Sequence, residues 1–381
     1  MQYVPFGKTG LNVSRLGFGM MRLPTIDKAD GSQKIDRDLA IKMVRRAIDA
    51  GVNYVDTAYG YHGGESEIVT GLALQDGYRE KTLLATKLPQ WLVREKDDMD
   101  RLLDEQLQKL DVDHIDFYLL HALNGSAFDR LKSLDYAAFL DRAKRDGRIR
   151  YAAFSFHDDK DAFKRILDDY GWDMAQIQFN YLDEKNQATL DGLLYAGEKG
   201  IPVVVMEPLR GGALANPPPD VRQLIKNQER GWSPVAWAFR YAGNFPEVAL
   251  ILSGMSDMTQ VEDNLRIFED IKPHSLTPKD EAFIRTLRGH YESRIKVSCT
   301  GCNYCQPCPQ GVLIPRIFEI YNEAYQLNQP DKLNANYKEF IEKHADASLC
   351  VACGECEAAC PQSLPIIELL KEIDAKARGE V

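Results

Sequence analysis

Cysteine is missing from the first 298 residues of this 381-residue chain; all eight lie between Cys299 and Cys360. That absence excludes disulfides and thiol chemistry from most of the molecule. Long apolar runs are also missing: none reaches the roughly 18 residues that a membrane-crossing helix needs. Between Met1 and Gly19 there is no apolar block of the export-signal kind. The expectation is therefore a cytoplasmic chain with no membrane partner, in a reducing compartment where disulfides are rare and clustered cysteines read as metal ligands. Positive charge is short as well. With 47 basic and 57 acidic residues the net charge is −10, and no basic stripe offers itself to a nucleic acid. Walker A, HExxH and GxSxG sequences are absent. Gly17-Phe18-Gly19 begins a dinucleotide fingerprint, but Arg22 stands where its third glycine belongs, so the Rossmann reading is weak.

What is present reads as an ordinary globular composition, 44% hydrophobic and 27% charged. Eight short apolar runs predict strands at 16–19, 53–56, 83–87, 115–121, 150–155, 175–179, 202–206 and 248–253. Their nearly continuous apolar character suits strands buried on both faces of a parallel sheet. Amphipathic segments predict helices between them, at 37–50, 99–110, 136–145, 161–170, 187–198, 233–242 and 260–270. In the first of these Leu39, Met43, Val44, Ala47 and Ile48 share a face, and Gly51 marks the end. Such alternation implies crossover helices on parallel strands. Eight strands point to an α/β fold of the closed (β/α)8 TIM-barrel type, with a hairpin formed by 4–6 and 13–15 in front of it.

A barrel of this kind places its chemistry at the C-terminal ends of its strands. Asp56 ends the second, with Tyr61 five residues on; Lys87 ends the third and His121 the fourth. Ser155 and His157 follow the fifth strand, Gln178 and Asn180 the sixth, Glu207 and Arg210 the seventh. A phenol with the ordinary pKa near 10 is a poor acid at neutral pH. A lysine cation beside it favours the phenolate and lowers that value, and a carboxylate would hold the lysine charged. An imidazole could then position a carbonyl oxygen next to the phenol. The four side chains together suit general-acid catalysis of carbonyl reduction.

The segment Gly51-Val52-Asn53-Tyr54-Val55-Asp56-Thr57-Ala58-Tyr59-Gly60-Tyr61 resembles the aldo-keto reductase signature. Ala85-Thr86-Lys87, Phe117-Tyr118-Leu119-Leu120-His121 and the N-terminal stretch from Phe6 to Gly19 are similar to family members as well. The resemblance covers about residues 2–290. It implies a TIM barrel that binds NAD(P)H without a Rossmann fold, with Tyr61 as proton donor, Lys87 and Asp56 tuning it, and His121 orienting the substrate. It further implies cofactor contacts from Ser155, Gln178, Met206, Pro208, Leu209, Ser253, Gly254, Gln260 and Asn264. Three positions depart from the family pattern. Phe156 follows Ser155 where an asparagine is usual. Met206-Glu207-Pro208-Leu209 replaces a tyrosine followed by Ser-Pro-Leu. Gly254 and Gln260 stand where Lys and Arg usually meet a 2′-phosphate.

The cysteines form two runs, Cys299, Cys302, Cys305, Cys308-Pro309 and Cys350, Cys353, Cys356, Cys360-Pro361. The second matches the bacterial ferredoxin spacing C-x2-C-x2-C-x3-C-P; the first differs by one residue in its last gap. Zinc also binds CxxC pairs, but paired four-cysteine runs ending in Cys-Pro favour two 4Fe–4S clusters. In ferredoxins of this type the last cysteine of each run ligates the other cluster. That assigns Cys299, Cys302, Cys305 and Cys360 to one, and Cys350, Cys353, Cys356 and Cys308 to the other. Helices predicted at 314–327 and 336–343, without a strong strand, resemble an α-helical ferredoxin. The predicted organisation is thus a barrel over 1–290 and a small, mainly helical, ferredoxin-like iron–sulfur domain over 291–381. Residues 299–381 hold 7 basic and 12 acidic residues, a charge of −5.

The function expected is an oxidoreductase that reduces, or reversibly oxidises, a small carbonyl or alcohol with NAD(P)H, its clusters exchanging electrons with a ferredoxin- or flavodoxin-type carrier. Hydride brings two electrons and each cluster normally moves one, so a flavin-containing iron–sulfur reductase on the same barrel is a second reading. A nucleotide-sensing interaction subunit with little turnover is a third; the intact set of Asp56, Tyr61, Lys87 and His121 argues against it.

Overall fold

The computed structural model describes residues 1–27, 33–299 and 301–379. They form two compact units, Met1–Leu214 with Val235–Lys279, and Ala215–Pro234 with Asp280–Val381.

The first unit is a closed barrel of eight parallel strands: β1 (Leu16–Gly19), β2 (Tyr54–Asp56), β3 (Leu83–Leu88), β4 (Ile115–Leu123), β5 (Ile149–Phe156), β6 (Met174–Gln178), β7 (Val203–Met206) and β8 (Val248–Gly254). Each pairs with its neighbour in sequence, and β8 closes on β1 in the register Ile251↔Leu16 to Gly254↔Gly19. Closure there depends on a missing side chain. A Cβ on Gly17 would lie 2.8 Å from both Leu250 Cδ1 and Leu252 Cδ2. Strand residues are buried along nearly their whole length, as in β4 from Ile115 to Leu120, because the interior and the outer helices cover both faces.

The predicted hairpin pairs Tyr3–Pro5 with Asn12–Ser14. From it Phe6 and Val13 enter the same apolar cluster as Tyr54, Phe117, Leu119 and Leu250 inside the barrel. The Phe6 and Phe117 rings meet edge to face at 5.1 Å, an arrangement favoured by the ring quadrupoles. A small hairpin of Thr25–Asp27 and Gln33–Ile35 was not foreseen.

Helix boundaries differ from the periodicity reading where local chemistry intervenes. The helix expected from 99 starts at Lys96, because Glu95 and Asp98 form a reciprocal capping box ahead of the apolar stripe. The one expected from 187 starts at Thr189; Gln187 and Thr189 both have positive φ, +54° and +63°, so the regular right-handed turns set in only after them. Strand β4 runs past His121 to Leu123, with Ala122 at φ +49°; the Ser155 hydroxyl accepts the Ala122 N–H at 2.7 Å. Helices Glu65–Leu74 and Gly125–Ser133 were missed.

In the second unit every element of three or more residues among those described is helical: Pro219–Lys226, Pro278–Glu292, Ile314–Gln326, Asp331–Glu342 and Ile366–Arg378, with short turns at Ala347–Leu349 and Glu355–Ala358. Its core joins Ile317, Phe318, Tyr321, Tyr337, Leu370 and Ile373, and Cys299, Cys305, Cys308, Cys350, Cys356 and Cys360 pack against it. The buried phenols are satisfied from the last helix: Tyr321 donates to Glu372 at 2.9 Å and Tyr337 to Asp374 at 2.7 Å. Asn322 fixes the entry to the first cysteine run, accepting from Lys296 and Val297 N–H and donating to the Val297 carbonyl at 2.7 Å. No described helix is long and apolar enough to cross a membrane.

Candidate active site and cysteine centre

Because the N-terminal end is plugged by the hairpin, the polar residues gather at the opposite mouth. Asp56 is the last residue of β2, Lys87 lies near the end of β3, and His121 lies in β4. Tyr61 opens a tight turn, Tyr61–Gly64, in which His62 and Gly63 take left-handed φ values of +51° and +66°. Lys87 is 1% and Asp56 2% exposed. The Lys87 ammonium donates to Asp56 Oδ1 at 2.6 Å and to the Thr57 carbonyl at 2.7 Å. It also sits 5.0 Å from the centre of the Tyr61 ring. The Tyr61 and His121 rings meet edge to face at 6.1 Å, and Trp91 covers His121 at 5.1 Å. The four residues expected to act together are thus brought together. Trp91, noted in sequence only as one of several loop residues, forms a wall of the site.

Burial dominates the electrostatics. It pushes His121 down to about 3, with Lys87 and His157 adding to the effect, so the imidazole is neutral at physiological pH. Its Nδ1 is buried without a partner. Burial works against the Lys87 ammonium, yet Asp56 and Tyr61 together hold its pKa above the ordinary lysine value. Burial pushes Asp56 up, opposed by Lys87; the 2.6 Å contact makes the charged pair the state we stand behind. The sequence argument has Lys87 lowering the Tyr61 pKa. Lys87 does act in that direction, but burial is larger and the net shift is upward. Tyr61 therefore holds its proton more firmly than a free phenol.

The other expected contacts surround the same mouth. Ser155 is in β5, Gln178 ends β6, Met206 ends β7, and Pro208 and Leu209 follow it. Gln178 donates to Asp183 Oδ2 at 2.8 Å and accepts from Gln187 at 3.2 Å, and Gln187 meets His157 at 3.2 Å. Asn180 joins this chain, donating to Asp183 Oδ2 at 2.7 Å and to the Glu207 carbonyl at 3.0 Å. Neither Asp183 nor Gln187 was singled out from sequence as a site residue: Asp183 lies in a loop without periodicity, and Gln187 read as the start of a helix. Met206 stands beside Gln176, whose amide donates to its sulfur at 3.7 Å.

At the end of β8, Asn264 donates to the Ser253 hydroxyl at 2.9 Å, which leaves the Ser253 O–H free to donate elsewhere. Gln260 turns back to accept the Ser256 N–H at 2.9 Å. A Cβ on Gly254 would lie 2.7 Å from Arg22 Cγ. Arg22, seen in sequence only as a break in a glycine motif, therefore lies over the position where a family lysine or arginine is absent. The Arg22 guanidinium itself reaches toward Gly211, with Nη2 3.7 Å from where a Cβ would stand there.

None of the eight cysteines is joined to another in a disulfide. Cys308, Cys350, Cys353 and Cys356, with Cys305, line one cavity of about 160 Å³. Burial pushes the Cys305 thiol up, and the neighbouring negative charges of Cys299, Cys302 and Cys360 add to it. Burial likewise raises Cys356 to about 11, with Cys350 among its neighbours. Among the described residues no three or more His, Cys, Asp or Glu side chains converge on the point a single ion would occupy. The soft sulfur donors instead surround a space, which suits a cluster.

Comparison with known proteins agrees with both halves. The profile of the aldo/keto reductase family matches residues 15–277, and that of a 4Fe-4S dicluster domain matches residues 298–364. An L-galactose dehydrogenase of Arabidopsis thaliana is 27% identical over 286 residues, covering 70% of this chain and 88% of its own. An NADH-specific methylglyoxal reductase of Escherichia coli K12 is 27% identical over 311 residues, covering 70% and 93%. Among solved structures, the holo form of an aldo-keto reductase from Bacillus halodurans superposes with a TM-score of 0.63 at 26% identity, covering 75% of this chain and 96% of that one. A Klebsiella pneumoniae aldo/keto reductase solved with NADP and acetate has the same fold, with a TM-score of 0.61 at 21% identity and coverage of 75% and 95%. The barrel, its matched profile and the dicluster match together make the chain an NAD(P)-dependent oxidoreductase with an iron–sulfur domain, and it belongs to the aldo/keto reductase family.

Proposed function

We propose that the enzyme interconverts a small carbonyl compound and its alcohol with NAD(P)H, and that two 4Fe–4S clusters connect the same chain to a one-electron carrier of the ferredoxin or flavodoxin class. The single observation that supports this reading best is the buried Lys87–Asp56 pair at 2.6 Å beside the Tyr61 ring and the neutral His121. Bound NAD(P)H supplies the hydride to the carbonyl carbon. Tyr61 gives its phenolic proton to the carbonyl oxygen, where negative charge develops. Lys87 stabilises the phenolate left behind, and Asp56 keeps Lys87 charged and oriented. His121, neutral, donates one hydrogen bond to the same oxygen and cannot compete as the acid. Trp91 excludes water from one side. Ser155, Gln178, Met206, Pro208 and Leu209 hold the nicotinamide end, and Ser253, Gly254, Gln260 and Asn264 the phosphate end.

In this reading the chemistry divides between residues 1–290 and 291–381. Cys299, Cys302, Cys305 and Cys360 hold one cluster, and Cys350, Cys353, Cys356 and Cys308 the other. The clusters supply one-electron transfer. Such thiolate ligation belongs to a reducing compartment, the cytoplasm.

Tyr61→Phe removes the proton donor and leaves the ring. Carbonyl reduction should fall about 10²- to 10⁴-fold with little change in cofactor affinity. Full reductase activity in that variant would contradict the assignment. Flavin released by acid from fully loaded enzyme would instead support the flavin-containing alternative.

A further inference from the structure

Scattered exposed apolar side chains are normal on a soluble protein. Two here are different in degree and in place. Tyr304 is 69% and Val351 61% exposed, the highest among the large exposed hydrophobic residues described. Tyr304 precedes Cys305 and Val351 follows Cys350. Both line the cavity shared by Cys308, Cys350, Cys353 and Cys356. They therefore form one apolar rim at the point where those thiols come nearest the surface; Cys353 itself is exposed.

The two cysteine segments that carry the rim hold charge of one sign. Residues 299–314 contain no charged side chain, and residues 345–361 contain Asp346, Glu355 and Glu357 but no lysine or arginine. Asp346 is paired with Arg378 at 3.0 Å, and Glu357 accepts the Ile367 N–H at 2.9 Å. Glu355 is exposed and is the one acidic side chain among the described residues lining the cavity. Thiolate-bound iron–sulfur clusters are themselves anions, which deepens the negative field.

We propose that Tyr304 and Val351, with Glu355 beside them, form the docking surface for a one-electron carrier protein whose contact face is positively charged around an apolar centre. This rests on the reading that the cysteines hold clusters. This narrows the carrier class: a ferredoxin or flavodoxin presenting an acidic face would meet like charge here, which costs association rate and affinity. A cationic one is steered to the rim, and the small apolar centre suits the limited, short-lived interface of electron-transfer partners. Each transfer moves one electron from a reduced cluster to the carrier, which is reduced by one unit while the cluster is oxidised by one; no bond or proton changes.

The test uses the full-length enzyme, loaded with clusters and reduced with dithionite, mixed rapidly with a ferric, basic c-type cytochrome. The matched control is the same cytochrome after succinylation of its lysines. The native probe should react about 10-fold or more faster at low salt than at high salt, and the succinylated probe should be slower at low salt. Glu355→Lys should slow the native probe about 3-fold at low salt, and Tyr304→Ser and Val351→Ser should slow it at every salt concentration. Calorimetric binding of the redox-inert zinc-substituted cytochrome should follow the same order. Salt-independent rates, preference for the succinylated probe, or unchanged variants would overturn the docking surface. Iron and sulfide are measured on the same samples. Clusters present with no steering overturns the docking surface alone, whereas no clusters overturns the reading beneath it as well.

Discussion

The barrel and the cysteine-bearing unit are held together by different means. The barrel defines its active site by topology: strand ends converge, and the side chains at those ends meet because the sheet closes. Its interior is apolar, and its buried charges are answered by partners from within the barrel, Lys87 by Asp56 and Arg15 by the Val248 and Gly243 carbonyls. The cysteine-bearing unit has helices but a small core, and six of its cysteines are part of that core's surface. In the proposed reading its ligand set is set by local spacing, and metal ligation adds folding energy to that core. On that reading one region needs its fold in order to make a site, and the other its metal in order to make a fold.

The sharpest way to break this contrast is to remove the metal. Stripping iron with a chelator under reducing conditions should abolish slow hydrogen exchange in the helices Ile314–Gln326, Asp331–Glu342 and Ile366–Arg378. The barrel strands should keep theirs. Equal protection in both regions after stripping would show that the cysteine-bearing unit folds without its ligands.

Next in size is the buried ion pair. Asp56→Asn leaves the Lys87 ammonium buried without its counter-charge, a loss of about 3–5 kcal/mol, read from urea unfolding of the barrel. Because Asp56 also keeps Lys87 charged, the same variant should lose reductase activity. Its pH dependence has a definite sign. Tyr61 is raised by burial and lowered by Lys87, so the wild type should lose proton donation only above the ordinary phenol pKa of about 10. In Lys87→Met the lowering influence is gone, and that alkaline limb should move to higher pH while the rate falls. A limb that moved to lower pH would contradict the assignment of Tyr61 as the acid.

A smaller effect is expected at the barrel seam. Gly17→Ala must displace Leu250 and Leu252, a cost of about 1–3 kcal/mol, with no effect on bound iron. The smallest is at the surface. Arg46 and Glu262 meet at 2.7 Å with both side chains largely in solvent, and Glu262→Gln should change stability by no more than about 1 kcal/mol.

How much of this was legible in the sequence follows the same division. The eight barrel strands read directly because parallel strands buried on both faces are unbroken apolar runs. The dicluster domain read directly because its cysteine spacing is local. The joining of Asp56, Tyr61, Lys87 and His121 could be expected once a barrel was inferred. What escaped depends on contacts between distant segments. Arg22 over Gly254, Trp91 on His121 and the Gln187–Gln178–Asp183 chain have no periodicity or motif to announce them. The direction of the Tyr61 shift escaped for a related reason: the sign of each neighbour's influence is readable from charge, but burial is a property of the whole fold. Helix starts such as Lys96 were displaced by caps, where a polar side chain outranks the apolar pattern.

The central claim is that one chain joins a hydride-transfer barrel to two one-electron centres. Its most direct test is analysis of iron, acid-labile sulfide and flavin on a single anaerobically purified sample. The account predicts about eight irons and eight sulfides per chain, as two 4Fe–4S clusters require, and no flavin. Four irons or fewer in fully loaded protein, or one flavin per chain, would contradict it.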